Sequence, residues 1–102
     1  MRALISGLMA LLPIGSAMAE SIPAAVLEKD RQACVAGRVG NQRVETNCLC
    51  YVLSLSRDLT FQQYLTVEGE IKGRVAQGQS IQVATRGVPE IVTAMRSCGL
   101  SQ

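Results

Sequence analysis

The sequence contains no histidine and no tryptophan, and its aromatic residues number three, Tyr51, Phe61 and Tyr64. Without histidine, the side chain that most often moves protons at neutral pH is missing. Charge of one sign is also scarce: 10 Lys and Arg stand against 8 Asp and Glu. So balanced a chain lacks the footprint that nucleic acid or an anionic membrane surface requires, and no nucleic-acid partner is expected. Gly-rich phosphate loops, G-x-S-x-G and Ser-x-x-Lys motifs are all absent. No apolar run approaches the roughly twenty residues that span a bilayer, so no membrane anchor is expected. No internal repeat or linker divides the 102 residues, which are enough for one domain.

The longest apolar stretch, Ala3 to Leu12, follows the basic start Met1-Arg2 and is broken by Pro13 and Gly15. Ala17-Met18-Ala19 then supplies an A-x-A cleavage site. Residues 1–19 therefore read as a cleavable secretory signal peptide and residues 20–102 as the mature domain. Glu20, where a lipoprotein would have cysteine, becomes the first mature residue. The expected location is the periplasm, and the expected partner is another periplasmic or secreted protein.

All four cysteines, Cys34, Cys48, Cys50 and Cys98, fall after the cleavage site. An even number in a short exported chain reads as a disulfide framework. Cys48 and Cys50 are two residues apart, so on a helix they point to roughly opposite sides and do not pair with each other. In an antiparallel pair of helices, Cys34 near the end of one lies close to Cys48 near the start of the next. That favours Cys34–Cys48 with Cys50–Cys98; the exchange, Cys34–Cys50 with Cys48–Cys98, stays open.

Helix signals recur along the mature chain. The first helix is expected from Ile22 to Val35, capped by Ser21, with Pro23 in its first turn and Val26, Leu27, Ala33 and Cys34 as its apolar stripe. A polar connection over 38–45 leads to a second helix, capped by Thr46 or Asn47 and ending near Arg57. Its buried face is Cys48, Tyr51, Val52 and Leu55, widened by Leu49 and Leu53. Thr60-Phe61-Gln62-Gln63 is a capping box opening a third helix, with Gly78 as the residue beyond its end. A last helix carries Val88, Ile91, Val92, Met95 and Cys98, with Pro89 in its first turn and Gly99 just past it. Alternating apolar residues over 67–85 leave a hairpin as the competing reading, with helix preferred because the Thr60 box starts one well. The fold expected is all-α: a compact bundle of about four short helices cross-linked by two disulfides.

Few constellations carry chemistry. Nothing basic lies beside Cys48 or Cys50 to stabilise a thiolate. The cysteine spacing differs from the two close pairs of a four-cysteine zinc site. Neither catalytic residues nor a cofactor or metal is expected. Glu68 and Glu70 diverge on a helix and read as a solvated face with Lys72 and Arg74. Gly69-x-x-x-Gly73 matches a helix-packing pattern in charged surroundings. The three aromatics read as a small cluster where the second and third helices meet; Tyr51 and Tyr64 are the candidate contacts for a partner.

This arrangement resembles a loose, uncharacterised group of small exported proteobacterial proteins. The shared features are Cys34, Cys48-Leu-Cys50, the Leu59-to-Tyr64 box, Gly78-Gln79 and Cys98. The resemblance implies a fold and no activity. Periplasmic immunity proteins against secreted amidases are similar through helical content and a Cys followed closely by Tyr; this chain has Cys48-Leu-Cys50-Tyr51 where they carry Cys-x-Gly-Tyr. The expected role is a non-catalytic protein-binding module, inhibitor-like or immunity-like. The alternatives are a thiol-disulfide redox protein or chaperone using Cys48 and Cys50, and an exported accessory protein of a secretion or conjugation system.

Overall fold

The computed structural model describes residues 20–100, so the signal-peptide reading of residues 1–19 lies outside the described residues. Within them are five helices and no strand: α1 (Ala24–Ala36), α2 (Gln42–Asp58), α3 (Phe61–Ala76), α4 (Ile81–Arg86) and α5 (Pro89–Ser97). Helix α1 packs along α2, α2 also receives α5, and α4 bridges α3 and α5. No described helix is long and apolar enough to cross a membrane.

The alternating stretch over 67–85 is helical, and no hairpin forms. Helix α3 starts at the expected box: Gln63 N–H donates to Thr60 Oγ1 at 3.2 Å, and Thr60 N–H donates to Gln63 Oε1 at 2.8 Å. It stops in a Schellman turn, with Gln79 N–H on the Arg74 carbonyl and Gly78 N–H on that of Val75. Gly78 has φ of 100°, a conformation that a β-carbon disfavours. Six further residues, capped by the Ser80 hydroxyl on Val83 N–H, then form α4, which brings the helices to five.

Other helix boundaries differ from expectation. The N-cap of α1 is Pro23, without a side-chain hydrogen bond, and Ser21 does not cap. Residues 20–22 instead precede the helix and pack on the bundle: the Glu20 carbonyl accepts from Phe61 N–H at 2.8 Å and Ile22 is buried. Helix α2 begins about one and a half turns early because Asn41 Oδ1 accepts from Val44 N–H at 2.9 Å. Asn, like Thr, competes well as a cap, and the earlier site adds a turn of backbone hydrogen bonds.

The core is built from Tyr51, Val52 and Leu55 of α2, Tyr64, Val67 and Ile71 of α3, and Ala84, Val88, Ile91 and Ala94 around α4 and α5. Leu49 and Leu53 do not widen the buried face of α2: they are 47% and 54% exposed. One residue on from Cys48 and Val52, they are turned about 100° from that buried stripe. Gly69 and Gly73 have no neighbour where a β-carbon would stand, so their pattern packs against nothing.

Candidate functional site

Two disulfides hold the frame of the site. Cys34 pairs with Cys48 and Cys50 with Cys98, with Cα–Cα separations of 5.8 and 5.7 Å. The two-residue offset on α2 therefore ties one side of that helix to α1 and the other to the end of α5. Cys34, Cys48 and Cys98 are buried, Cys50 is partly so, and no free cysteine occurs among the described residues.

Between these fixed elements opens a cavity of about 400 Å³. One wall is the face of α1 and the turn after it, bearing Asp30, Ala33, Cys34, Gly37 and Arg38. These positions recur three and four residues apart, the spacing of one helix face. Helix α3 contributes Glu68 and Ile71, one turn apart, and α4 contributes Ile81, Gln82 and Thr85. Tyr51 of α2 and Met95 of α5 also line the cavity. The size and the mixture of apolar surface with a few polar groups suit a ligand or an inserted side chain.

The polar groups are concentrated around Tyr51. Its side chain is 8% exposed, and no hydrogen-bond partner for its hydroxyl occurs among the described residues. Burial pushes this phenol's pKa up, and the Asp30 and Glu68 charges push it further against the opposing Arg38. The neighbouring Tyr64 hydroxyl donates to Asp30 Oδ2 at 2.6 Å. Burial first, then that bond, raises the Tyr64 pKa. Glu68 is partly buried and its carboxyl is also pushed up, by desolvation first and then by the Asp30 charge. Lys72 and Lys29 act in the opposite direction without forming an ion pair with it at 4 Å or less. Arg38 Nη1 donates to the Cys34 carbonyl at 2.9 Å, which holds its guanidinium against the end of α1.

Of the two tyrosines singled out from the sequence, Tyr51 borders the cavity. Tyr64 is 4% exposed and acts from behind, by fixing Asp30. Its ring stacks on Phe61 at a centroid distance of 6.3 Å, but Tyr51 takes no part in that stack. Glu68 is the residue that the sequence reading misplaced. It lies four residues after Tyr64 and three before Ile71, so its spacing puts it on the core-facing side. Glu70 does lie on the solvated face, paired with Arg74 at 3.1 Å.

Among the described residues, no group of three or more His, Cys, Asp or Glu is arranged to hold a metal ion. Compared with protein-family models, curated proteins and solved structures, the chain matches none.

Proposed function

We propose that this protein is a non-catalytic binding module of the periplasm, an inhibitor-like or immunity-like factor that engages another exported protein through the cavity bounded by Asp30, Tyr51 and Glu68. The observation that carries this reading is the Tyr51 hydroxyl, which has no hydrogen-bond partner among the described residues and belongs to a residue lining a roomy cavity on a doubly cross-linked frame. A hydroxyl that faces a cavity and keeps both its donor and its acceptor capacity offers a ligand a directed hydrogen bond. The framework supplies rigidity, which lowers the ordering cost of association. The burial of Cys48 and its bond to Cys34 weigh against thiol exchange through Cys48 and Cys50.

The test is affinity capture from periplasmic extract with the oxidised protein and with Ala33→Trp, which fills the cavity from its exposed wall. Recovery of a stoichiometric partner by the parent and its loss with Ala33→Trp is the expected result. No partner under several growth conditions, or equal recovery by both proteins, overturns the reading.

A further inference from the structure

The polar groups of the cavity have a consistent character. Asp30 spends Oδ2 on Tyr64, and its other oxygen has no partner among the described residues. Glu68 has neither a hydrogen bond nor an ion pair there. Both carboxylates line the cavity and interact with the same buried phenol, Tyr51. A phenol at neutral pH both donates and accepts, while two carboxylates only accept. A cation with N–H donors satisfies all three groups at once, and it separates two like charges that otherwise repel across a partly dry space. The same lining includes the apolar side chains of Ile71 and Met95, and Ile81, which is 55% exposed.

We infer that the cavity receives the lysine or arginine side chain of a partner polypeptide, its charged head between Asp30 and Glu68 and against the Tyr51 hydroxyl, its methylene stem along Ile71 and Met95. The inference rests on the binding reading above and names the chemistry of the inserted group. A polypeptide is favoured over a free amine because Ile81 of the lining is 55% exposed, apolar surface that a larger partner covers.

The experiment is an NMR titration of the oxidised protein with two blocked tripeptides, Gly-Lys-Gly and Gly-norleucine-Gly, followed by partner capture. Saturable shifts at Tyr51, Ile71 and Met95 with the lysyl peptide, and none with the norleucyl peptide, are expected. Glu68→Gln and Asp30→Asn should each weaken lysyl binding about tenfold, the loss of one charge-assisted contact. Asn at 30 keeps an acceptor for Tyr64, and should Asp30→Asn fail to fold, Glu68→Gln alone decides. Equal shifts with norleucine, no shift in the cavity, or micromolar binding of n-butylammonium alone overturn the inference, the last by making the site a receptor for free amines. Partner capture that survives in the Asp30→Asn/Glu68→Gln protein also overturns it while leaving the binding reading standing. Failure to capture any partner with the parent protein removes the binding reading instead, whatever the titration shows.

Discussion

Tyr64 and Asp30, 34 residues apart, are joined by a 2.6 Å hydrogen bond from the phenol to Oδ2, which ties α3 to α1 beside the cavity. Tyr64 is 4% exposed and Asp30 is half-buried, so the bond is partly shielded from water. It is a side-chain link between the disulfide-held pair α1–α2 and the part of the bundle formed by α3 and α4.

Tyr64→Phe removes the donor and leaves the ring. A hydrogen bond to a charged acceptor contributes about 1.5–3 kcal/mol, so the variant should lose stability in that range. Urea unfolding measures it, and hydrogen exchange should show α3 loosening before α2. A change below about 0.5 kcal/mol would place the bond among those that water replaces at no cost.

The two disulfides close segments of 14 and 48 residues. In the chain-entropy account the longer loop stabilises by about 1 kcal/mol more. Cys50–Cys98 also holds the end of α5, where Leu100 is buried just beyond the cysteine. Cys98→Ser should therefore lower the urea midpoint more than Cys34→Ser and reduce exchange protection across 89–97. The opposite ranking contradicts this assignment of the framework.

Glycine has opposite consequences at different positions in and after α3. Gly69 and Gly73 are helical, with open space at the β-carbon position, so alanine at each should stabilise by about 0.5–1 kcal/mol. Gly78 sits at φ of 100°, where alanine should cost about 1–2 kcal/mol despite equally open space. Thermal unfolding of the three single variants checks both signs.

Glu68 sets a pH dependence of its own. Its carboxyl titrates above the ordinary 4.5 in the folded protein, so the folded state holds the proton more tightly than the unfolded chain. Raising the pH from 4.5 through the folded-state value therefore removes stability, and the loss persists above it. Glu68→Gln should abolish that part of the slope and be the more stable protein at pH 7. Urea midpoints of both proteins from pH 4 to pH 8 give the comparison. A parent protein that gains stability over that window relative to Glu68→Gln contradicts the desolvated placement of the carboxyl.

Much of this molecule was legible in the chain because its signals are local. The Thr60–Gln63 box, the glycines after α3 and α5 and the opposite orientation of Cys48 and Cys50 depend on neighbours a few residues away. Those same rules favoured the disulfide pairing that the structure contains. Local signals were insufficient where two candidates competed, as when Asn41 capped α2 ahead of Thr46 and Asn47. Burial was a tertiary decision. Leu49 and Leu53 are as apolar as Leu55, yet only Leu55 has helices packed over it. The cavity was beyond the sequence altogether. Asp30, Tyr51 and Glu68 belong to three different helices, and only the cross-linked packing of α1 and α2, with α3 tied across by Tyr64, brings the two carboxylates and the phenol to one cavity.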